Sequence, residues 1–462
     1  MFDLIVIGSG PGGYVAAIRA SQLGMNTAVV ERAEIGGICL NWGCIPTKAL
    51  LKSVQALHYA QHSADYGFTI EGEIKPDIAK IVERSRGVAS NMSKGIDYLF
   101  KKNKVTVIKG TARLIGNGQV EVKSDDLSVS VIGAKNIIIA TGARANSLPF
   151  APIDGKKIIS YRQALVPETL PKSMAVIGSG AIGSEFAYFY RSLGVDVHLI
   201  EYLDNVVPLE DEEVSAQLSR SFRKIGMKVM VSAQVKSVDT SGELCKLTVQ
   251  TKKGEDVIEV ERVLSAVGVI ANLENIGLEE LEIVVERGKI KVDEFYSTNI
   301  SGVYAIGDVI ATPALAHISS AEAICCVEKI AGLDPKPLNY NNFPGCTYTS
   351  PEIASVGMTE KTVKESGIEY KIGKFPFTAS GKAAAAGEKD GFVKLIVDAK
   401  TDEILGAHLI GANVTEMISG LVVARNLGVK AKDIIRSIHP HPTMSEAIME
   451  AAAAAHGEVI HI

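Results

Sequence analysis

The stretch "DLIVIGSGPGGYVAAIRASQLGMNTAVVE", residues 3–31, decides the fold of the chain. It begins with an apolar run typical of a buried strand, passes through G-x-G-x-x-G into an amphipathic helical segment, and closes with a second apolar run that ends at Glu31. The first glycine of such a unit permits a tight turn, the second lets the backbone approach a pyrophosphate, and the third allows close helix–strand packing. The helix N-terminus attracts phosphates, and the final carboxylate accepts hydrogen bonds from a ribose diol. The stretch therefore predicts a dinucleotide-binding unit.

The stretch "SMAVIGSGAIGSEFAYFYRSLGVDVHLIE", residues 173–201, repeats this pattern 170 positions later. The matched pairs are Gly8 and Gly178, Gly10 and Gly180, Gly13 and Gly183, Gly24 and Gly194, and Glu31 and Glu201. The sequence therefore predicts two dinucleotide sites. Glu201 would repel a 2′-phosphate, and Tyr202 follows it where an NADP site often has an arginine, so the second site is expected to take NAD. The first unit runs within a few residues into a pair of cysteines, and if that site holds FAD, the pair could lie against the flavin ring.

These two cysteines, Cys39 and Cys44, lie in "GGICLNWGCIPTKAL", residues 36–50. A regular helix would hold their Cα atoms roughly 8–9 Å apart, whereas a disulfide tolerates no more than about 7 Å. Six cysteines in 462 residues do not make a disulfide framework. The close pair is therefore expected to be redox-active or metal-binding. Metal is the weaker alternative, because no second cysteine pair or nearby histidine supplies the remaining ligands.

Length and composition exclude several classes of function. A chain of 462 residues should divide into about three domains. Its net charge of −5 and its lack of basic runs argue against nucleic acid as a partner. The start "MFDLIVIGSG" has too short an apolar core for a signal peptide, and no apolar run approaches the ~18 residues of a membrane span. We expect a cytoplasmic protein without a membrane segment.

Later strand-like runs extend the domain prediction. "NIIIATGARA" (136–145) and "RVLSAVGVIAN" (262–272) break at Gly142 and Gly268, and "TNISGVYAIGDV" (298–309) ends at Asp308, which could hold a cofactor polyol or simply occupy a turn. We predict an α/β fold with four segments. These are the first part of an FAD-binding domain (1–145), an NAD-binding domain (146–272), a central segment completing the FAD domain (273–345) and an α+β interface domain (346–462).

The C-terminal region contains a histidine-rich segment, "SIHPHPTMSEAIMEAAAAAHGEVI", residues 437–460. His441 stands between two prolines, so its backbone is stiff and extended. Thr443 and Glu446 form T-x-x-E before a predicted helix, which is a capping box. The alternative is that Glu446 orients His441 as a general base.

Taken together, these motifs resemble the dihydrolipoamide dehydrogenases, which are FAD-dependent, NAD-linked members of the class I pyridine nucleotide-disulfide oxidoreductases. The resemblance covers essentially the whole chain. The residues that carry it are the cysteine stretch, the ATG and GD segments, "LAH" at 315–317, "YTSPEIASVGMTE" at 348–360 and "HPTMSE" at 441–446. The implied fold is two Rossmann-like nucleotide-binding domains, for FAD and NAD, followed by a C-terminal α+β dimerisation domain.

The resemblance also implies a mechanism. Cys39 and Cys44 form a redox-active disulfide, with Cys39 exchanging with the substrate and Cys44 facing the flavin. Lys48 lies near the flavin and pairs with Glu185, while His441, oriented by Glu446 and preceding a cis Pro442, acts as the base. Dihydrolipoamide is oxidised to lipoamide as NAD⁺ is reduced.

The implied partners are a second copy of the chain and a carrier of the substrate. Family architecture places His441 and Glu446 in the active site of the other subunit of a homodimer. The substrate is carried by lipoyl domains of 2-oxo acid dehydrogenase complexes or by the glycine cleavage carrier protein.

The resemblance further implies a set of cofactor contacts and no metal ligands. The contacts are Gly8, Gly10, Pro11, Gly12, Gly13, Glu31, Gly37, Lys48, Ala112, Thr141, Gly142, Asp308, Ala314, Leu315, Ala316, His317, Gly178, Gly180, Ala181, Ile182, Gly183, Glu185, Glu201, Val235 and Gly268.

Three alternatives compete with this interpretation. One is a reductase for another disulfide or a metal ion within the same superfamily, and another is a soluble transhydrogenase, which lacks the cysteine pair present here. The third is a nucleotide-binding subunit without turnover, which would leave the cysteines, His441 and Glu446 unexplained. One departure from the family is the vicinal pair Cys325 and Cys326, which is expected to be buried in a helix.

Overall fold

The computed structural model describes residues 1–462. Its internal contacts divide the chain into two compact units. The first consists of residues 1–50, 77–146 and 269–338, and the second of residues 51–76, 147–268 and 339–462. The second unit contains most of the predicted NAD-binding segment together with the predicted interface segment, so the four-segment scheme stays a prediction.

The helices and strands have the following bounds. The helices are α1 (Pro11–Gln22), α2 (Gly37–Trp42), α3 (Cys44–Gln61), α4 (Ile78–Lys102), α5 (Tyr161–Leu165), α6 (Ala181–Ser192), α7 (Glu212–Lys224), α8 (Ala316–Ile330), α9 (Glu360–Glu365), α10 (Gly381–Ala386), α11 (Val414–Asn426), α12 (Ala431–Arg436) and α13 (Glu446–Ala454). The strands are β1 (Phe2–Ile7), β2 (Thr27–Glu31), β3 (Thr106–Lys109), β4 (Thr111–Gly116), β5 (Gln119–Lys123), β6 (Val129–Ile139), β7 (Ala143–Ala145), β8 (Ile158–Ile159), β9 (Ser173–Ile177), β10 (Asp196–Ile200), β11 (Lys228–Met230), β12 (Gln234–Asp239), β13 (Cys245–Thr251), β14 (Gly254–Val260), β15 (Arg262–Ser265), β16 (Val269–Ala271), β17 (Val285–Glu286), β18 (Lys289–Ile290), β19 (Val303–Ala305), β20 (Pro344–Thr347), β21 (Glu352–Gly357), β22 (Tyr370–Pro376), β23 (Phe392–Asp398) and β24 (Ile404–Gly411). Short 3-10 helices cover Ser63–Tyr66, Gly307–Val309 and Phe377–Ala379.

The first unit is built on a seven-stranded sheet. Strands β3, β2, β1 and β6 lie side by side in parallel, and β19 pairs in parallel with the end of β6. The first half of β6 instead continues into an antiparallel meander with β5 and β4. Because the parallel strands share one direction, their carboxyl ends meet at the same edge, where α/β folds bind ligands. The glycine-rich turn, Gly142 and Asp308 all follow strands that end there.

Helix α1 shows why the first stretch folds as predicted. Gly10 caps the helix in extended conformation, and Pro11 occupies the first turn, where its missing N–H costs nothing. A Cβ atom on Gly13 would stand 1.9 Å from the carbonyl oxygen of Gly8. Gly183 has the same 1.9 Å relationship to Gly178 in the second repeat. In both repeats the third glycine therefore lets the helix start lie against the turn.

The second unit contains three sheets. A five-stranded parallel sheet has the order β11-β10-β9-β15-β8 and carries the second glycine-rich repeat, and β12, β13 and β14 form an antiparallel sheet beside it. The C-terminal part is a five-stranded antiparallel sheet of order β20-β21-β24-β23-β22, packed with α11, α12 and α13 around one apolar core. The predicted α+β character of residues 346–462 matches these elements.

An ion cluster centred on a buried lysine lies within this second unit. The ammonium of Lys394, on β23, is 1% exposed and lies 3.0 Å from Asp211, 2.6 Å from Glu360 and 2.9 Å from Glu213. Burial opposes the charge of Lys394, but the hydrogen bonds to Glu360, Glu213 and Asp211 outweigh it and raise the pKa of the ammonium. The cluster joins the start of α7 to the antiparallel sheet.

No helix of the chain combines the length and the apolar character that a membrane crossing requires.

Candidate active site

The cysteine pair lies where two helices meet. Gly43, with φ −141° and ψ −116°, separates α2 from α3, so the segment is not one continuous helix. This break brings the thiols of Cys39 and Cys44 into a hydrogen bond, which the spacing of a regular helix would not allow. The hydrogen bond to Cys44 and burial raise the pKa of the Cys39 thiol, while the positive charge of Lys48 opposes the increase. The arrangement therefore keeps the Cys39 thiol protonated.

Helix α4 holds the cysteine loop in place. Ser93 donates to the Asn41 side chain at 2.9 Å, and Asn41 donates to the carbonyls of Ile35 and Gly37 at 3.0 Å. Arg86 donates to the Asn41 carbonyl and lies over the ring of Trp42 at 4.2 Å. Sequence reasoning missed these residues, because no local motif indicates that a distant amphipathic helix closes over the loop.

The first glycine-rich turn forms a cradle suited to a dinucleotide. A Cβ atom on Gly10 would meet nothing within 4 Å, so the space over the start of α1 is open. The N–H groups of Gly12 and Gly13 find no acceptor in the protein. Free N–H donors at a helix start are the groups that bind a pyrophosphate. The residues present therefore fit the predicted FAD.

A ribose-binding carboxylate stands beside this cradle. Glu31 is buried, and its Oε2 accepts hydrogen bonds from the N–H of Ser9 at 2.8 Å and from its hydroxyl at 2.7 Å. Its Oε1 accepts from the N–H of Ala33 at 2.8 Å. Sequence reasoning missed Ser9, although a serine between the first two glycines of both repeats was an available signal.

The second repeat builds an equivalent site. A Cβ atom on Gly180 meets nothing within 4 Å, and the N–H groups of Ile182 and Gly183 have no protein acceptor. Glu201 Oε2 accepts from the N–H of Ser179 at 2.9 Å and from its hydroxyl at 2.7 Å. This donor set fits the predicted NAD as closely as the first set fits FAD.

Several other predicted cofactor residues lie in the first unit. Thr141 donates its hydroxyl to the carbonyl of Asn272 at 2.7 Å, and Asn272 donates back to the Thr141 carbonyl at 3.0 Å. Gly142 has φ +66° between β6 and β7, which favours glycine. Asp308 lies in a 3-10 turn, where burial raises the pKa of its carboxyl. Residues 314–317 lie at the start of α8, which no side chain caps.

The remaining predicted cofactor contacts lie in two strands, one loop and helix α6. Ala112 is buried in β4, Val235 is buried in β12 next to a bulge, and Gly268 has φ +94° between β15 and β16. Glu185, on α6, is buried and accepts a hydrogen bond from the N–H of Tyr348 at 3.0 Å. The pairing of Glu185 with Lys48 stays a prediction.

His441 and Glu446 lie together in the second unit. The Nδ1 atom of His441 is 2.8 Å from Glu446 Oε1, and the N–H of Thr443 donates to Glu446 Oε2 at 2.7 Å. The imidazole is 78% exposed. The peptide bond between His441 and Pro442 is cis, which confirms that prediction.

The predicted capping box at Thr443 forms only in part. Helix α13 begins at Glu446, with Ser445 as its N-cap, so Thr443 does not cap it. The Thr443 hydroxyl donates to the carbonyl of Pro440 at 2.9 Å, and only the reverse contact, from the Thr443 N–H to Glu446, is made. The predicted cap was wrong because the Thr443 hydroxyl bonds to the carbonyl of Pro440, in the preceding turn. It therefore donates no cap to the first turn of α13.

The vicinal cysteines are buried in α8, as expected. Cys326 is 0% exposed, and burial raises the pKa of both thiols. Neither is placed to react with a substrate.

Comparison with known proteins defines the class. Residues 2–323 match the family described as pyridine nucleotide-disulphide oxidoreductase, and residues 343–452 match the dimerisation domain of that family. The chain belongs to the pyridine nucleotide-disulphide oxidoreductases. This membership confirms the predicted family and fold class.

Among its relatives, the chain is similar to the dihydrolipoyl dehydrogenases. It is 48% identical to the dihydrolipoyl dehydrogenase of Rhizobium etli, with 100% of this chain and 99% of that protein covered. The dihydrolipoyl dehydrogenase of Zymomonas mobilis is also 48% identical, with the same coverage. The fold of this chain is similar to the crystal structure of LpdA from Mycobacterium tuberculosis, with a TM-score of 0.90 and 27% sequence identity. The match covers 97% of this chain and 98% of that one.

Proposed function

We propose that the chain oxidises dihydrolipoamide to lipoamide and reduces NAD⁺ to NADH. It is an oxidoreductase that works with FAD and NAD. The observation that carries the proposal is the hydrogen-bonded pair Cys39 and Cys44, held across a helix break in a chain that is 48% identical over its whole length to a dihydrolipoyl dehydrogenase. The open cradles over α1 and α6 support one dinucleotide site each.

The proposed reaction begins with thiol–disulfide exchange. A thiol of dihydrolipoamide gives its proton to the imidazole of His441, and the resulting thiolate attacks Cys39. The bond between Cys39 and Cys44 breaks, and Cys44 leaves as a thiolate. The second substrate thiol then attacks the substrate sulfur of the mixed disulfide, which releases lipoamide and the Cys39 thiol.

The chain supplies charge and orientation for this exchange. Hydrogen bonding to Glu446 leaves Nε2 of His441 as the basic nitrogen. The charge of Lys48 acts on the cysteine pair and stabilises a thiolate there. The cradle at the start of α1 and Glu31 would hold FAD, which would supply two-electron transfer between the dithiol and NAD⁺.

The proposed assembly is a homodimer in which His441 and Glu446 of one subunit serve the cysteine pair of the other. The match of residues 343–452 to a dimerisation domain supports this assembly. We place lipoyl domains of 2-oxo acid dehydrogenase complexes or the glycine cleavage carrier as substrate partners, and the cytoplasm as the compartment. The absence of a disulfide framework among six cysteines supports a reducing compartment.

The test uses the purified flavoprotein with dihydrolipoamide and NAD⁺. We expect NADH to form in amounts equal to the lipoamide produced, and no comparable turnover with glutathione disulfide or mercuric ion as acceptor for NADH. The variants Cys39→Ser and Cys44→Ser should each lose this turnover while still passing electrons from NADH to a dye. The control Cys325→Ala should keep both activities. Turnover of dihydrolipoamide by Cys39→Ser, or faster reduction of another disulfide or of mercury, would contradict the proposal.

A further inference from the structure

A serine occupies the same position in the two glycine-rich repeats. Ser179, 0% exposed, donates its N–H and its hydroxyl to Glu201 Oε2, as Ser9 does to Glu31. Each serine hydroxyl also accepts a hydrogen bond at 3.2 Å, from the N–H of Val207 in the second repeat and of Gly36 in the first. A serine, a glutamate and the following loop are thus joined in the same way twice.

We propose that Ser179 is a positioning residue that fixes the Glu201 carboxylate for the ribose diol and thereby sets the preference for NAD over NADP. This inference rests on the proposed function, in which the second site takes NAD.

The donors around Glu201 carry the argument. Its Oε1 accepts from the N–H of Leu203 at 2.9 Å, so three donors hold the two oxygens. Hydrogen bonds to an ionised carboxylate are roughly twice as strong as neutral ones. Glu201 is 7% exposed. A buried carboxylate held at both oxygens keeps its place, whereas a freely rotating glutamate could turn away from a 2′-phosphate.

The serine hydroxyl also ties Glu201 to the loop that follows. Val207 has φ +41°, an unusual conformation for a β-branched residue. Its N–H bonds to both the hydroxyl and the carbonyl of Ser179, at 3.2 and 3.1 Å. Replacing Ser179 with alanine removes one donor to Glu201 and one of these two acceptors. The carbonyl remains for Val207, so the variant is expected to fold.

The test measures equilibrium binding of NADH and NADPH to the purified flavoprotein by fluorescence titration. In Ser179→Ala we expect NADH affinity to fall about tenfold. The preference for NADH over NADPH, measured as the ratio of the two affinities, should decrease by a similar factor. The KM for NAD⁺ should rise with little change in kcat, because the chemistry at the cysteines is untouched.

Two further variants serve as controls. Ser184→Ala, on α6, removes a buried hydroxyl that donates to the Ser179 carbonyl at 2.8 Å. This hydroxyl does not contact Glu201, so the affinities for NADH and NADPH should stay unchanged. Ser9→Ala should weaken retention of FAD and leave the ratio of the two affinities unchanged.

The possible results distinguish a failure of the role of Ser179 from a failure of the assignment of NAD to the second site. If the unmodified protein binds NADPH as well as NADH, the assignment of NAD to this site fails. If it prefers NADH and Ser179→Ala keeps the full preference, the positioning role of Ser179 is overturned. An equal loss in Ser184→Ala would overturn it too, because the effect would then come from packing.

Discussion

The Nδ1 atom of His441 lies 2.8 Å from Glu446 Oε1, and the other oxygen of this carboxylate accepts the N–H of Thr443. Burial raises the pKa of the Glu446 carboxyl, but the hydrogen bonds from Thr443 and His441 outweigh it, so the net pKa is lowered. The carboxylate therefore stays ionised near neutral pH. A charged acceptor on Nδ1 directs Nε2 outward as the nitrogen that can take a proton.

Replacing Glu446 with alanine should lower kcat for dihydrolipoamide oxidation about 10²-fold or more, because His441 loses its orienting partner. Transfer of electrons from NADH to a dye needs no such base and should be retained. The matched control is Glu450→Ala, on the same helix as Glu446, which breaks a contact of 2.5 Å between the Glu450 carboxylate and His461. Equal loss of dihydrolipoamide oxidation in both variants would show that α13 acts only through stability.

The two ribose-binding glutamates should separate the two cofactors. Glu31→Ala is expected to lose FAD during purification, which the flavin absorbance per protein measures. Glu201→Ala should keep its FAD and lose much of its preference for NADH over NADPH, because the anion that repels a 2′-phosphate is gone. Loss of FAD from Glu201→Ala, with FAD retained by Glu31→Ala, would reverse the assignment of the sites.

The sequence could predict both nucleotide units because their signals are local. In each unit the strand, the glycine-rich turn, the helix and the final glutamate lie within 29 residues, and each role belongs to a residue at a fixed position in the motif. The cis bond before Pro442 was predicted from the family resemblance, because the local pattern alone favours a trans bond. The start of α13 could not be predicted, because the Thr443 hydroxyl bonds to the carbonyl of Pro440 and does not cap the helix.

Long-range contacts explain what the sequence did not reveal. Lys394 meets Asp211 across 183 positions, and Ser93 reaches Asn41 across 52. No periodicity marks a lysine in a strand as buried, and an isolated Lys394 would be assigned to the surface. Such partners become visible only when the strands and helices are assembled.

Glu210 should make stability depend on pH. Its Oε2 is buried without a hydrogen-bond partner, and burial raises the pKa of the carboxyl to about 7, despite a hydrogen bond from Ser355. Since the pKa in the folded protein lies above the usual glutamate value of 4.5, ionisation of Glu210 costs stability as the pH rises between these values, and the cost stays constant above them.

Glu210→Gln should therefore gain stability over the unmodified protein as pH rises from about 4.5 to about 7, reaching roughly 2–4 kcal/mol. Urea unfolding across this range measures the difference. The exposed neighbour Glu212→Gln is the control and should show no such trend. A difference between Glu210→Gln and the unmodified protein that is flat with pH would contradict the assignment.

Lys394→Met should destabilise the protein by about 3–5 kcal/mol, because it leaves the buried Asp211 carboxylate without its cation. Lys364→Met is the matched control, since Lys364 also contacts Glu360, at 2.7 Å, but is exposed and should change stability little. Thermal unfolding with FAD bound measures both. A Lys394→Met protein as stable as the Lys364→Met protein would show that the cluster tolerates loss of its central charge.

The serine-and-glutamate arrangement occurs twice in one polypeptide, at 170-residue spacing and with distances that agree to within 0.1 Å. Any substitution made in one copy can therefore be made in the other within the same purified molecule, at the same temperature and ionic strength. Binding at the first repeat is measured by the absorbance of bound flavin, and binding at the second repeat by the fluorescence of NADH. The two repeats can thus be compared within one molecule, where the serine–glutamate contacts are alike and the nucleotide differs.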